Sequence, residues 1–443
     1  MNVVWFCLDT LRADHLSCYG YFRKTSPTID RLANEGALFP QSRANAVATG
    51  PGFTSMFTGQ YAVNNEWYMT PFDVGNMIDF PDDRPVFPEA IQDHGGITTA
   101  AFDNLFQFAS HMKQFVRGFE YCVNVTRSSR PIHHHVMGGD VNARLLPWIR
   151  AHKDERMFLF VHYWDPHTPY NQPREFARPF VHEPGRLDDV PVLEAPAGYQ
   201  YVPGWGTIER IPSTEDRGDF SPLPDSPQKH PQSIDSYDGE ILYADHLIEQ
   251  AIDELAAAGI LDETAIVINA DHGEQLNQHY DCWGHPGLHD GNVHTPLILW
   301  RPGLLPAGVR PEGYAHHIDI APTILDLLGA PAPEGMDGQS LLALIRGEAA
   351  PRDRYYAETM AMRSVTKDGW KYIWHKCACD ELYDLASDPM EQVNLALECT
   401  ERLRSLQALL FEWVARNLGE RNDPMLYQLA RAEELRRRPF PFL

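Results

Sequence analysis

A threonine followed by glycine and proline stands where a helix is predicted to begin. Thr49 is preceded by small residues, and Gly50, Pro51 and a short apolar run ending at Gly59 follow it. Threonine is favoured at helix N-caps, and proline is accepted in the first helical turn. Such a helix would direct backbone N–H groups and its positive dipole end at a group on the Thr49 oxygen. This suits a nucleophilic oxygen that attacks a phosphate or sulfate, although an ordinary capped helix has the same pattern.

Carboxylate and imidazole residues follow several apolar segments of the chain. They are Asp9, Asp165, His167, Asp271 and His272. In a doubly wound parallel sheet the ligand crevice lies at the carboxyl ends of the strands. We therefore expect these side chains to meet at one edge of a sheet. Their placement strengthens the prediction that the Thr49 segment belongs to an active site.

The elements that must position these residues alternate between strand and helix. Apolar runs predict buried strands, and periodic apolar positions predict helices. The strands are expected at 3–8, 97–102, 157–163, 264–270 and 297–300, and the helices at 27–35, 140–152, 241–258 and 318–328. This order predicts an α/β fold with a doubly wound, mostly parallel sheet.

The alternation of predicted strands and helices ends near residue 350. Short strand patterns at 363–366, 370–374 and 381–385 precede a helical pattern at 399–417. We therefore predict a catalytic domain at 1–350 and a C-terminal subdomain at 351–443 with a small antiparallel sheet and a helical tail.

One long segment of the predicted catalytic domain matches neither a helix nor a strand pattern. Residues 171–235 are rich in proline, glycine and aspartate. The segment is too long for a simple connection, which predicts a lid or substrate loop. Partial disorder is the alternative.

Composition limits the partners of this chain. The 443 residues carry a formal net charge of −24, which argues against a nucleic-acid-binding surface. No membrane span or signal segment is recognised, and the seven scattered cysteines predict a reduced, cytoplasmic protein. Residues 424–443 are basic, amphipathic and apolar at the end. We expect this tail to dock on its own subunit or on a partner, as in a homo-oligomer.

Several short runs occur in an order that is specific as a set. They include LDTLRADHL at 8–16, TGP at 49–51, HYWDPHTPY at 162–170, ADHGE at 270–274, GH at 284–285, TPLI at 295–298 and LYDL at 382–385. Each is a weak signal alone. Together they resemble the sulfatase branch of the alkaline phosphatase superfamily from end to end.

The resemblance implies a metal centre. In that family an aspartate at the first strand end and a later Asp-His or Asp-Asn pair bind one divalent metal, and the nucleophile completes the shell. The corresponding residues here are Asp9, Asp271, His272 and Thr49. Oxygen ligands with one imidazole favour Zn²⁺ or Mn²⁺ and are also compatible with Ca²⁺ or Mg²⁺. The metal would lower the pKa of the Thr49 hydroxyl and neutralise an ester oxygen.

The resemblance also implies substrate contacts. His167 and His285 match positions that contact the transferred group or the leaving group, and either imidazole is expected to protonate the leaving oxygen. His279 and His289 are alternatives to His285.

Three further residues belong to the predicted surroundings of the metal centre. Asn104 and Arg12 are predicted substrate-binding residues, and a structural salt bridge is the alternative for Arg12. Asp165 is expected behind the metal ligands, with a role as a second-metal ligand as the alternative.

Departures from the family pattern concern the nucleophile and the sulfate-binding cations. Formylglycine sulfatases carry a modifiable Cys or Ser where this chain has Thr49, and Phe53 replaces their arginine. Phe102–Leu105 replaces the segment that supplies a sulfate-binding lysine, so Asn104 stands in a region without that charge. Thr10 replaces the second aspartate of the usual pair. A threonine nucleophile resembles that of nucleotide pyrophosphatases, phosphoethanolamine transferases and lipoteichoic acid synthases.

These features predict a metal-dependent hydrolase of phosphodiesters or phosphonate monoesters. Thr49 would attack the phosphorus of an anionic small-molecule ester, and water would cleave the phosphothreonine. One alternative is a sulfuric ester hydrolase that acts without formylglycine. Another is a catalytically inactive family member that binds an anionic ligand or serves as an assembly subunit.

Overall fold

The apolar run at the N-terminus forms the central strand of the main sheet. The structure is a computed structural model of the chain. It describes residues 1–68, 80–105, 113–125, 137–177, 179–180, 199–202, 206–209, 234–279, 283–376 and 378–426. The predicted lid at 171–235 lies largely outside these ranges, as do residues 427–443 of the predicted docking tail.

Strands and helices alternate through the first three quarters of the chain. In chain order the strands are β1 (Asn2–Leu8), β2 (Ala37–Leu38), β3 (Ser42–Arg43), β4 (Thr98–Asp103), β5 (Tyr121–Asn124), β6 (Met157–Tyr163), β7 (Tyr199–Val202), β8 (Gly206–Glu209), β9 (Thr264–Ala270), β10 (Gln275–Leu276), β11 (Trp283–Gly284), β12 (Leu297–Trp300), β13 (Ala315–His316), β14 (Arg354–Glu358), β15 (Met362–Lys367), β16 (Trp370–His375) and β17 (Glu381–Asp384).

Helices pack on both faces of the main sheet. The described α-helices are α1 (Pro27–Glu35), α2 (Thr49–Thr58), α3 (Ala62–Asn65), α4 (Phe87–His94), α5 (Gly138–Ala151), α6 (Arg174–Ala177), α7 (Ile234–Ala257), α8 (Asp290–Val293), α9 (Ile320–Leu328), α10 (Leu342–Ile345) and α11 (Thr400–Leu418). No helix in the described part of the chain is both long and apolar enough to cross a bilayer.

The central sheet has seven strands in the order β2-β12-β9-β1-β6-β4-β5. Neighbouring strands from β9 to β5 are parallel, while β12 runs antiparallel to both β9 and β2. The predicted α/β fold with a mostly parallel sheet is therefore confirmed. The carboxyl ends of β1, β6 and β9 lie side by side, which brings the polar residues after these strands to one edge.

Alternating residues of β1 face the helices on opposite sides of the sheet. Val3, Trp5 and Cys7 pack in one core with residues of α2, α4 and α9. Val4 and Phe6 pack in the other core with residues of α1, α5 and α7. Because both faces are covered, the strand is apolar from Val3 to Leu8, and every residue of it is buried.

The C-terminal sheet has the strand order β14-β15-β16-β17 and is antiparallel. Local sequence patterns predicted β15, β16, β17 and α11 but not β14. Glu358 at the end of β14 forms a bridge with Ala46, and its carbonyl accepts a hydrogen bond from the Val47 N–H at 3.2 Å. This sheet therefore holds the backbone that leads into Thr49. The domain boundary near residue 350 remains a prediction.

A core phenylalanine fixes the helix that begins at Thr49. Phe57 on α2 is fully buried, and its ring centre lies 5.7 Å from that of Trp5, 5.6 Å from that of Phe87 and 5.3 Å from that of Phe160. We expect Phe57→Ala to lower the free energy of unfolding by about 3–5 kcal/mol, because it removes an aromatic ring from a packed core. Urea denaturation measures the change.

The matched control is Phe411→Ala on α11, since the Phe411 side chain is 39% exposed. We expect the control to lower the free energy of unfolding by about 1 kcal/mol or less. An equal loss in both variants would show that Phe57 does not anchor α2.

Candidate active site

The predicted helix begins at Thr49, but Thr49 is not its cap. Thr49 is the first residue of α2, and Ala48 is the N-cap. The Ala48 carbonyl accepts the first helical hydrogen bond, from the Gly52 N–H at 2.9 Å. The Thr49 hydroxyl is therefore not used for capping, which corrects the expectation from sequence. Its Oγ1 lies 3.4 Å from Nε2 of His272.

Two non-glycine residues with positive φ flank this region. Thr10 follows Asp9 with φ of 59°, and Ala48 precedes Thr49 with φ of 81°. Such conformations cost about 1–3 kcal/mol and persist where surrounding contacts impose them. The Thr10 N–H donates to Oδ1 of Asp271 at 3.1 Å, and the Thr10 carbonyl accepts from the Tyr237 hydroxyl at 2.7 Å. These contacts hold the turn after β1 against the end of β9.

Asp9, Asp271 and His272 form one buried cluster, which we call the first cluster. Each offers a ligand atom, and these atoms lie within 4.8 Å of one another. Oδ1 of Asp271 accepts hydrogen bonds from backbone N–H groups, including that of His272 at 2.8 Å. Oδ2 of Asp271 and both oxygens of Asp9 have no hydrogen-bond partner of ordinary geometry among the described residues. Buried carboxylate oxygens of this kind fit a bound cation.

The titration of the first cluster agrees with that fit. Burial, together with the neighbouring Asp271 and Glu274 carboxylates, raises the pKa of Asp9 well above its usual value. Burial raises the pKa of Asp271 to about 7 and lowers that of His272 to about 4. Nδ1 of His272 donates to the Gly273 carbonyl at 2.8 Å, which leaves the lone pair of the neutral ring on Nε2. A neutral imidazole is the form that binds metals.

The helix carrying Thr49 approaches the end of β9 closely. A Cβ at Gly52 would lie 3.1 Å from the Asp271 carbonyl oxygen. Because glycine has no Cβ, α2 can bring Thr49 beside Asp271 and His272. The family serine at this position would crowd that contact.

A second group of side chains lies beside the first cluster. His167, Glu274 and His285 each offer a ligand atom, and these atoms also lie within 4.8 Å of one another. We call them the second cluster. The ring centre of His285 is 4.5 Å from that of His272 and 5.6 Å from that of His167. The structure therefore brings both predicted substrate-contact histidines to the first cluster.

The two alternatives to His285 lie in a different network. His279 and His289 stack on each other with ring centres 3.8 Å apart. His279 bonds the Glu391 carbonyl at 3.0 Å, and His289 bonds Glu381 at 2.9 Å. This network connects the loop after β10 to the C-terminal sheet. Neither histidine belongs to the first or the second cluster.

Arg12 is buried in polar contacts within the protein. It forms two hydrogen bonds with Asp14, at 2.8 and 2.6 Å, and its Nη1 donates to Oε1 of Gln278 at 2.6 Å. The same nitrogen lies 3.2 Å from the Glu274 carbonyl. These contacts favour the structural salt bridge over the predicted substrate contact.

Asn104 and Asp165 support the loop that carries His167. Oδ1 of Asn104 accepts from the Trp164 N–H at 2.8 Å, and Asn104 is buried. Oδ2 of Asp165 accepts from the Gly138 N–H at 3.1 Å. Asp165 also lies next to Glu240. Burial and the neighbouring Asp165 raise the pKa of Glu240 well above its usual value. Asp165 belongs to neither cluster, so the described contacts favour a supporting position over metal ligation.

Phe53 fills the position of the family arginine with an aromatic ring. The ring is fully buried and meets His162 edge-on with centres 5.0 Å apart. Nε2 of His162 lies 3.5 Å from Oδ2 of Asp9. Burial lowers the pKa of His162 to about 3, so the ring is neutral at pH 7. The aromatic ring of Phe53 and the neutral ring of His162 therefore lie near Asp9, where the family pattern has the positively charged arginine.

Two residues near the clusters were missed by sequence reasoning. Glu274 stands two positions after His272 in the run that carried the family resemblance, and only the structure shows that it lies close to His167 and His285. His162 could have been found from the pattern of β6. A histidine is an unusual residue in an otherwise apolar, buried strand.

Comparisons with known proteins establish the family. The sequence model of the Sulfatase family matches residues 1–330. That of the N-sulphoglucosamine sulphohydrolase C-terminal region matches residues 281–415. The chain belongs to the Sulfatase family of hydrolases. Members of this family generally use a divalent metal ion, and the unpartnered oxygens of the first cluster fit one.

Individual relatives are similar over most of the chain. The multifunctional alkaline phosphatase superfamily protein PehA of Trinickia caryophylli is 26% identical, over 89% of this chain and 91% of PehA. Arylsulfatase K of Xenopus laevis is 20% identical, over 87% of this chain and 77% of that protein. The crystal structure of phosphonate monoester hydrolase of Agrobacterium radiobacter aligns with a TM-score of 0.70 at 20% identity, over 94% of this chain and 96% of that one. The structural likeness confirms the fold.

Proposed function

We propose that this protein is a metal-dependent hydrolase of phosphodiesters or phosphonate monoesters with Thr49 as the nucleophile. One observation carries the proposal. The Thr49 hydroxyl stands at the start of α2, 3.4 Å from Nε2 of His272 and beside the carboxylates of Asp9 and Asp271. A hydroxyl in this position is directed at the crevice and lies within the field of a helix N-terminus.

The first cluster would hold the metal through Asp9, Asp271 and His272, with the Thr49 oxygen as the fourth ligand. A divalent ion there supplies positive charge that lowers the pKa of the hydroxyl and offsets charge on an ester oxygen. The chemistry of the donor set favours Zn²⁺ or Mn²⁺, and Ca²⁺ or Mg²⁺ also accept its oxygens.

The reaction proceeds in two displacements at phosphorus. Thr49 Oγ1 forms a bond to phosphorus and its proton is lost to water, and the bond to the leaving oxygen breaks as that oxygen gains a proton from water. Water then attacks the phosphothreonine and releases the product with Thr49 restored. His167 and His285 lie on the side of His272 where the leaving group would be held. Partial burial and the neighbouring His272 lower the pKa of His285 well below its usual value. A neutral His285 ring would contact the leaving group, which argues against the expectation that His285 protonates the leaving oxygen.

Phosphoesters suit this centre better than sulfate esters. Formylglycine sulfatases release sulfate by breakdown of a hemiacetal, and a threonine has no such route. A sulfated Thr49 would have to be hydrolysed at sulfur by water. The arginine and the lysine that bind sulfate in the family are also replaced. Phe53 stands in place of the arginine and packs against His162. Asn104 lies in the segment that replaces the lysine and accepts a hydrogen bond from the Trp164 N–H. The remaining protein groups therefore favour a phosphoryl group.

We expect higher kcat/KM for phosphoesters than for the matching sulfate ester. The measurement compares p-nitrophenyl phosphate, bis-p-nitrophenyl phosphate and p-nitrophenyl sulfate with metal supplied, since all three release the same chromophore. Thr49→Ala is the control for contaminating phosphatase. A kcat/KM for the sulfate above those for both phosphates would overturn the phosphoesterase proposal.

The second candidate is a sulfuric ester hydrolase that acts without formylglycine. The match of residues 281–415 to the N-sulphoglucosamine sulphohydrolase C-terminal region favours it. The same three-substrate comparison separates the two candidates. A chain that binds metal and turns over none of the esters would instead be the inactive, anion-binding member.

We also propose a cytoplasmic location. Cys7, Cys18, Cys122, Cys379 and Cys399 are free thiols, as expected in a reducing compartment. The substrate is proposed to be a small anionic ester. Because the overall charge of −24 repels an anion, local groups of the site must attract this substrate.

A further inference from the structure

We propose that Tyr237 and Glu240, in the first two turns of α7, are positioning residues for the candidate active site. Tyr237 holds the loop after β1, which carries Asp9. Glu240 holds the loop after β6, which carries His167. Residues three positions apart are neighbours on one side of a helix, so a single helix end sets both loops. The role of Tyr237 needs only a metal on the first cluster, whereas the role of Glu240 rests on the proposed function.

The Tyr237 hydroxyl bridges two backbone groups of the loop after β1. It donates to the Thr10 carbonyl at 2.7 Å and accepts a hydrogen bond from the Arg12 N–H at 2.9 Å. Thr10 has a φ of 59°, a conformation that non-glycine residues keep where surrounding contacts impose it. The Tyr237 side chain is fully buried, so the two backbone groups lose their partner when the hydroxyl is removed.

The turn at Thr10 fixes both carboxylates of the first cluster. Thr10 directly follows Asp9, and its N–H donates to Oδ1 of Asp271 at 3.1 Å. A shift of the Thr10 backbone therefore moves Asp9 and removes a donor from Asp271 at the same time. Groups that orient metal ligands typically contribute about 10–100-fold to metal affinity or activity. Tyr237 thus acts on the metal site through the Thr10 backbone.

Glu240 holds the backbone that follows His167. Its Oε1 accepts hydrogen bonds from the N–H groups of Asn171 at 2.5 Å and Gln172 at 2.9 Å. The Gln172 side chain returns to the same helix, since its Nε2 donates to the Ser236 carbonyl at 2.8 Å. Because Glu240 and Gln172 are buried, these hydrogen bonds tie the loop to α7 away from water.

A glycine lets this loop reach the helix. A Cβ at Gly239 would clash with Nε2 of Gln172 and would lie 3.0 Å from Cα of Ala177. Glycine inside a helix is less favourable than alanine, so its presence in α7 needs a reason of this kind. The close approach of residues 172–177 supplies that reason.

A buried carboxylate fixes the helix end itself. Asp238 lies between the two positioning residues. It accepts from the Tyr21 hydroxyl at 2.8 Å and from Nη1 of Arg23 at 2.7 Å, and its Oδ1 lies 2.8 Å from Nδ1 of His15. These partners belong to the segment between β1 and α1. The start of α7 is held independently, so a change at either positioning residue alters a loop and not the helix.

Zinc affinity tests the role of Tyr237. The chelator-treated full chain competes with a chromophoric chelator for Zn²⁺, which gives the Kd. We expect Tyr237→Phe to raise this Kd about 10–100-fold, because the ring stays and the hydroxyl that orients the loop is lost.

Tyr372→Phe is the matched control, and it should leave the Kd for Zn²⁺ unchanged. The Tyr372 side chain is also fully buried. Its hydroxyl donates to Asp380 at 2.7 Å and accepts from Gln407 at 3.1 Å, at the C-terminal sheet. Each variant therefore removes one buried hydroxyl that donates once and accepts once.

Three results would overturn the role of Tyr237. They are an unchanged Kd in Tyr237→Phe, an equal rise of Kd in both variants, and no binding of Zn²⁺ by the unchanged chain. A Kd raised in Tyr237→Phe alone supports the role, even in a chain that hydrolyses none of the esters. The absence of hydrolysis would then count against the proposed function and not against Tyr237.

Kinetics with bis-p-nitrophenyl phosphate at saturating Zn²⁺ test the role of Glu240. We expect Glu240→Ala to lower kcat/KM about 10–100-fold, since a displaced loop moves His167 away from the substrate. Glu240→Gln should retain most of the activity, because an amide oxygen accepts the same two N–H groups. Neither variant should change the Kd for Zn²⁺, which separates this effect from that of Tyr237→Phe.

Gly239→Ala protects this second test against misfolding. Alanine favours the helix, while the added Cβ displaces the segment at Gln172. The variant should lower kcat/KM as Glu240→Ala does, and it replaces Glu240→Ala if circular dichroism shows that variant to be unfolded. Full activity in the variant used, or equal losses in Glu240→Gln and Glu240→Ala, would overturn the role of Glu240.

Discussion

Thr49→Ala is expected to lower kcat for phosphoesters by several orders of magnitude and to leave the fold intact. Removal of a nucleophile from a covalent mechanism typically costs about 10³–10⁶-fold, and a bound metal does not replace the missing oxygen. The fold should persist because Ala48, not Thr49, caps α2, and because alanine is a strong helix former. Steady-state kinetics with bis-p-nitrophenyl phosphate and circular dichroism measure the two parts of this expectation.

Thr49→Ser is the matched control for that variant. It keeps a hydroxyl at the first position of α2 and should retain turnover well above that of Thr49→Ala. Mass spectrometry of rapidly quenched, unchanged protein should find a phosphoryl group on the peptide that contains Thr49. Near-normal kcat in Thr49→Ala would mean that water attacks the ester directly.

Removal of the ligands of the first cluster should have the second largest effect. The double variant Asp271→Ala and His272→Ala is expected to lose one equivalent of divalent metal per chain, together with turnover. The reason is that the remaining ligands, Asp9 and Thr49, offer only one carboxylate and a hydroxyl. Elemental analysis and p-nitrophenyl ester kinetics measure the two losses.

The metal should also stabilise the unchanged chain. A ligand present at 1,000 times its Kd stabilises the folded state by about 4 kcal/mol. Removing it leaves the carboxylates of Asp9 and Asp271 buried side by side at this site. Chelation should therefore lower Tm more in the unchanged chain than in the double variant.

A variant with the same residue types changed elsewhere controls for that measurement. Asp262→Ala with His246→Ala changes an exposed aspartate and a 40% exposed histidine outside both clusters. It should keep the metal, the turnover and the response of Tm to chelator. Unchanged metal content in the Asp271→Ala and His272→Ala variant would refute the assignment of these residues as ligands.

The main sheet could be predicted from sequence because its signal is local. The strands at 157–163, 264–270 and 297–300 and the helix at 27–35 have the predicted bounds. These segments are buried on both faces or amphipathic, so their apolar pattern is complete within a few residues. Helix α7 begins at Ile234 and not near residue 241, because its first turns carry polar residues that are buried by tertiary contacts.

The polar residues that follow the apolar runs lie close together at one sheet edge, as the sequence predicted. Parallel strands put their carboxyl ends together, so Asp9, His167, Asp271 and His272 had to approach one another once the strands were right. The type of each residue then limited its chemistry. The roles of these residues remain predictions that the variants above test.

Contacts between distant parts of the chain decided the rest. Arg12 donates to Gln278, 266 residues away in sequence, and this contact could not be predicted from local sequence. Ala46, in the segment that leads to Thr49, pairs with Glu358 of β14. A local sequence pattern cannot predict a pairing between residues so far apart in the chain.

The sequence by itself determined most strands of the main sheet, several helices and the residue types at the strand ends, since each depends on neighbours within a few positions. Only the tertiary structure decided that Glu274 meets His167 and His285, and that Phe53 and not a cation stands behind Asp9. Those relations are distances between segments that the chain brings together only on folding, so residue order alone does not contain them.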